Sequence, residues 1–121
     1  MEYSWEQWDK LLEQTVAKIM ALQRLKGGEY SGDVDRLRNF RRAADELGLT
    51  QEVIWRVYAG KHWDAITTYV RDKMHGTLRE RSEPIEGRAL DLIVYLLLFL
   101  AMCEERKRLS TVCGRITVHK H

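Results

Sequence analysis

Residues 92–103 read LIVYLLLFLAMC, twelve apolar positions with no charge among them. A helix that crosses a bilayer needs roughly 20 such residues, so the run is better read as a core helix than as a membrane span. Its turns are apolar on every face, which marks a central helix packed by others. Just upstream stands Pro84, in the first helical turn, where its missing amide costs no hydrogen bond. The helix is expected to run from there to about Arg108, and the rest of the chain to supply the surfaces that pack on it.

Working outward from this helix, the same 3.6-residue period recurs. Ser4 followed by Gln7 matches a capping box, in which each side chain satisfies an orphan amide at a helix start. Trp8, Leu11, Leu12, Thr15, Val16, Ile19 and Leu22 then form one apolar stripe, which Gly27-Gly28 is expected to stop. The segment from Lys26 to Asp33 is rich in glycine and reads as a loop, with Asp33 or Asp35 placed to cap the next helix. That second helix covers about Val34 to Leu47, with Leu37, Phe40, Ala43, Ala44 and Leu47 inward and Gly48 as its left-handed stop. Thr50 caps a short third helix through Tyr58. Gly60 is expected to interrupt the pattern, and Trp63, Ile66, Val70 and Met74 to form the inward stripe of a fourth. The stretch from Gly76 to Ser82 is a polar loop.

A single Pro and eight Gly leave little room for a sheet with its many turns. The apolar share of 45% beside 31% charged residues is globular composition, and 121 residues close one core and not two. These readings predict an all-α fold: a single-domain bundle of about five helices over residues 1–109 with a central apolar C-terminal helix. The tail, residues 110–121, is read as a short strand or as disordered. An all-round apolar last helix and several tryptophans suggest more apolar surface than one subunit covers, so a homo-oligomer, a dimer at least, is expected.

Lys and Arg total 20 against 18 for Asp and Glu, a net charge of +2 that speaks against duplex nucleic acid as a partner. Cys103 and Cys113 have no zinc-finger spacing around them, and residues 1–10 carry no signal-peptide pattern; free thiols in a cytoplasmic protein are expected. Arg36, Arg38, Arg41 and Arg42 fall within seven residues, a run that ordinarily means a solvated helix face. Arg36 and Asn39, however, fall on or beside the arc of Phe40, Ala43 and Leu47. A guanidinium there needs either a carboxylate such as Asp91 or an anionic ligand.

Asp91 enters the apolar stretch three residues after Arg88 and one turn before Tyr95, where an ionised carboxylate needs Arg, several donors or a divalent metal. Glu83 and Glu86 share another face of the same first turn, with a spacing suited to a magnesium–phosphate site. The alternative for them is a favourable interaction with the helix dipole. Lys61 and His62 are placed at a helix start, where amides favour phosphate. Lys26, Glu29 and Tyr30 add a cation, an acid and a stacking ring. Phosphate-loop and nucleophile-elbow patterns are absent, as is any Cys/His arrangement suggestive of a nucleophile.

The order of Lys26 to Tyr30, Asn39-Phe40, Lys61-His62, Asp72-Lys73 and Ser82-Glu83-Pro84-Ile85-Glu86, with Asp91 and Tyr95, resembles the nucleotide modification associated domain family of phages and bacteria. The likeness covers about residues 20 to 100. It implies a helical protein that handles nucleotides or their derivatives, with Lys26, Tyr30, Arg36, Asn39, Phe40, Lys61, His62 and Lys73 toward the ligand. Such a phage protein is expected to act as a sponge for a host defence signal. The family looks akin to all-α MazG-like nucleotide pyrophosphohydrolases, whose magnesium ion sits between two acidic pairs. Here Glu83, Glu86 and Asp91 would be the metal residues, although the second pair, Glu-x-x-Asp, is missing. The alternative function is therefore magnesium-dependent hydrolysis of a nucleoside triphosphate, and a third is a protein-interaction module built on Trp5, Trp8 and the arginines of the second helix.

Overall fold

The computed structural model describes residues 1–29, 35–81 and 83–116, the side chains of 25–29 and 112–116 excepted. Among the described residues there are four helices and no strand: α1 (Trp5–Glu29), α2 (Arg38–Leu47), α3 (Gln51–Met74) and α4 (Ile85–Ile116). None is long and apolar enough to cross a membrane. The chain divides into two units, Met1–Asp35 and Arg36–His121.

The first unit is α1. Its start is the expected capping box: the Ser4 amide donates to Gln7 Oε1 at 2.8 Å, and the Gln7 amide donates to Ser4 Oγ at 3.1 Å. The helix does not stop at Gly27-Gly28 but continues through both to Glu29. A glycine costs a helix about 1 kcal/mol without forbidding it, because the backbone donor and acceptor are intact. Trp8, Leu11, Leu12, Val16 and Leu22 of its stripe are exposed.

The second unit joins α2, α3 and α4. Leu37, at the N-cap of α2, and Phe40 and Ala44 within it close with Ile54 and Met102 into its core, and Trp55, Tyr95, Leu98 and Ala101 pack around them. Gly48 ends α2 in the left-handed conformation, with φ of 68°, and its amide donates to the Ala44 carbonyl. Thr50 then caps α3, accepting from the Val53 amide. Leu47, expected inward, is exposed.

Gly60 does not divide the next segment: α3 is continuous over 24 residues, so five expected helices become four. The inward stripe is also displaced. Trp63, Val70 and Met74 are exposed, whereas His62, Ile66 and Tyr69 are half-buried and Asp72 is buried. Trp63 and Val70 each stand one residue, or about 100°, round from His62 and Tyr69, because the phase is set at Ile54 and carried unbroken through Gly60.

α3 and α4 run antiparallel. Early α3 meets late α4, with Gln51 donating to Glu105 at 3.2 Å and Arg106 within 3.4 Å of Glu52, and later α3 meets early α4, where His62 lies against Asp91. The helix expected to be central is covered on one side: Tyr95, Leu98 and Met102 face the core, while Ile93, Leu96, Leu97 and Leu100 are exposed. α4 also extends past Arg108 to Ile116, so residues 110–116 are helix rather than strand or disordered tail. Residues 117–121 lie outside the described ones.

Candidate functional site

The polar residues of the second unit gather where α3 and α4 face each other. On α4, Arg88, Asp91 and Tyr95 are three and four residues apart and therefore share a face. On α3, His62 is brought opposite them by the phase that buries Ile54 and Ala59. His62 Nδ1 lies 3.3 Å from Arg88 Nη1 and 3.6 Å from Asp91 Oδ2. Arg88 Nε is 3.8 Å from Glu83 Oε2. His62 is the covered member of its pair, with a side chain 15% exposed against 39% for Asp91.

A guanidinium can only donate, so in the contact between Arg88 Nη1 and His62 the imidazole Nδ1 is the acceptor.

Aromatic side chains frame the cluster. The Tyr95 ring stands 5.1 Å from that of His62 and meets Phe40 edge-to-face at 6.4 Å; Phe40 meets Tyr58 in the same manner at 6.2 Å. Lys61 Nζ lies 5.5 Å over the Tyr58 ring. Trp55 donates its indole N–H to the Tyr95 carbonyl at 2.6 Å, pinning α3 to α4 at this level. Burial pushes the Tyr95 phenol above its ordinary 10.0, and the nearby Asp91 carboxylate and Tyr58 act in the same direction. Tyr95 therefore remains a neutral hydroxyl, able to donate.

Of the residues proposed from sequence, the fold gathers Phe40, Lys61, His62, Glu83 and Asp91 around this cluster. Phe40 does so from within the core and cannot stack on a ligand; Tyr58 is the more exposed ring. Lys61 and His62 lie in the middle of α3 and not at a helix start, so no free amides accompany them. Arg36 and Asn39 are exposed, contrary to the inward placement expected. α2 begins at Arg38, so Arg36 precedes the helix and helical phase does not apply to it, while Asn39 is turned out beside the inward Phe40. The arginine that enters is Arg41, half-buried and paired with Glu105.

Lys73 is exposed at the end of α3, one residue after Asp72. Asp72 is only 5% exposed, and its work is structural: Arg79 Nε lies 3.3 Å from Oδ2, and the Thr77 amide donates to its carbonyl at 2.8 Å, closing the turn after α3. Lys26 falls in the last turns of α1, its side chain outside the described ones, and Tyr30 lies outside the described residues.

The expected magnesium residues do not come together. Glu83 is engaged by Arg88, Asp91 by His62, and Glu86 is exposed on another face of α4. Among the described residues no three His, Cys, Asp or Glu side chains are grouped so as to hold a metal ion. The donor set therefore does not fit the two acidic pairs of a MazG-like centre. Arg88 and Tyr58 are absent from the sequence-derived set, although the Arg88, Asp91, Tyr95 spacing on one helix face is a signal for the first.

No family model, curated protein or solved structure matches this chain.

Proposed function

We propose that the second unit binds a small anionic ligand of nucleotide type at the face formed by α3 and α4. The observation that carries this reading is the meeting of the Arg88 guanidinium and the His62 ring at 3.3 Å, with Lys61 next in sequence and the Tyr58 ring beside it. Without ligand, Glu83 and Asp91 supply the countercharge. A phosphate would take the place of Glu83 at Arg88, whose 3.8 Å separation from that acid is looser than a hydrogen bond. Tyr58 offers a base its ring face, and Tyr95 contributes a neutral hydroxyl.

Because Glu83, Glu86 and Asp91 are not gathered into one acidic set, the reading is binding without hydrolysis. Holding the ligand intact accords with sequestering it, the role the family resemblance implies for a phage sponge.

Calorimetry with a panel of nucleoside mono-, di- and triphosphates and cyclic nucleotides, with and without magnesium, tests this, followed by chromatography of the recovered ligand. At least one ligand should bind and return intact. Arg88→Ala should weaken it about 10- to 100-fold, the range for losing one charge-assisted contact. Absence of binding at millimolar ligand, or indifference to both Arg88→Ala and His62→Ala, would sink the proposal. A cleaved ligand would replace it with the pyrophosphohydrolase reading.

A further inference from the structure

The outward face of α4 has a composition that the nucleotide reading does not use. At 100° per residue, Glu86, Ala89, Ile93, Leu96, Leu97, Leu100, Glu104 and Lys107 fall within one arc about 100° wide, opposite the arc of Asp91, Tyr95, Leu98 and Met102 that faces the core. Ile93, Leu96, Leu97 and Leu100 are between 38% and 61% exposed. Ala89, Ile93, Leu96, Leu100, Cys103 and Lys107 alternate at four and three residues, the spacing of a coiled-coil seam. From Ala89 to Cys103 the apolar part of the strip is about 20 Å long and about 10 Å wide, on the order of 200 Å² on each copy, with charged residues beyond it at both ends.

The charges at its ends identify the occupant. No charge interrupts residues 92–103, so an anionic polymer or a lipid headgroup finds nothing there to pair with. α3 also exposes Val53, Val57, Trp63 and Val70, but with Arg56, Asp64 and Arg71 among them, exposed as well. On this face of α4 the charges lie only at the ends, Glu86 at one and Glu104 with Lys107 at the other, all exposed, and Glu104 is already paired with Arg108 of its own helix, which leaves Glu86 and Lys107 to meet across a pairing.

We infer that this face docks a second copy of the same chain, α4 against α4, antiparallel about a two-fold axis between Leu96 and Leu97. That axis sets Ile93 against Leu100 of the second copy, Leu96 against Leu97 of the second copy, and Glu86 against Lys107 of the second copy. Each pair occurs twice, as an isologous interface demands. A parallel pair would set Glu86 on Glu86 and Lys107 on Lys107, like on like. The α3–α4 cluster lies on the opposite side of the helix, so the dimer leaves it open.

Sedimentation equilibrium of the full chain, wild type and variants, tests the arrangement. The wild type should be a dimer at micromolar concentration, and Leu96→Glu a monomer with unchanged helical circular dichroism, since Leu96 is half exposed within one chain. Glu86→Lys should weaken the dimer about 10-fold by placing like charges at both ends, and Glu86→Lys with Lys107→Glu should restore it. A monomeric wild type, a Leu96→Glu variant that still dimerises, or a double swap that fails to restore association would each overturn the proposal.

Discussion

Replacing Phe40 with alanine separates a core side chain from a ligand-contacting one. Phe40 is 8% exposed, packs with Leu37, Ala44, Ile54 and Met102, and meets the rings of Tyr58 and Tyr95 edge-to-face. Truncating a buried phenylalanine costs about 3–5 kcal/mol, and each edge-to-face pair about 0.5–1.5 kcal/mol beyond its buried area, part of which that range already contains. A loss of about 4 kcal/mol lowers the melting temperature of a domain of 60–100 residues by roughly 16–32 °C. The damage should begin in α2. A helix of 10 residues is too short to persist alone in water, and Phe40 is the largest side chain that holds it to α3 and α4. Thermal melts followed by circular dichroism, with hydrogen exchange of the α2 amides, read both effects. Phe40→Leu, which keeps most of the volume, should retain most of the stability. If Phe40→Ala melts within about 5 °C of wild type, the ring is not the core element described, and a stacking role on a ligand becomes the better account.

Gly60→Ala should be neutral or stabilising by about 0.5–1 kcal/mol in denaturant melts, because α3 is continuous there and the new methyl group meets only the movable end of Arg56, at 2.7 Å; a loss above 1 kcal/mol would mean the site tolerates no side chain. Tyr95 holds its proton more tightly when folded than its ordinary 10.0, so its contribution to stability is complete below pH 10 and is lost as pH rises through the folded value. Unfolding measured from pH 8 upward should therefore show a decline beginning near 10 that is reduced in Tyr95→Phe, and an unchanged decline would remove Tyr95 as its source. Ser4→Ala removes half of the capping box and should cost α1 about 1 kcal/mol, seen as faster exchange in its first turn, with no effect on ligand affinity at the α3–α4 cluster.

The features legible in the residues alone are those closed within a few positions of the chain. Ser4 and Gln7 satisfy each other three residues apart, Thr50 accepts from Val53, and Gly48 adopts the left-handed cap, so all three are readable without knowing what the helices touch. The helical class follows from periodicity for the same reason. Gly60 misleads because a glycine only lowers the odds of a helix, and whether α3 pauses there depends on the packing of Ile54, Ala59 and Trp55 on either side of it. A break at Gly60 moves the inward face by one residue, from His62 and Tyr69 to Trp63 and Val70, and so hides which polar groups enter. Arg36 falls inside only when the helix is drawn from Val34, four residues before the real start at Arg38, and Arg41 enters because the buried arc is that of Leu37, Phe40 and Ala44, without the exposed Leu47. Likewise, Glu83 and Glu86 look like a pair at local spacing, but Arg88 turns to the first and leaves the second on another face. Local sequence decides that the helices exist and, at its capped ends, where they begin and stop. The pairing of His62 with Arg88 and Asp91, and the half of α4 left uncovered, depend on the rotation of each helix about its own axis, a quantity settled only by the surface it meets.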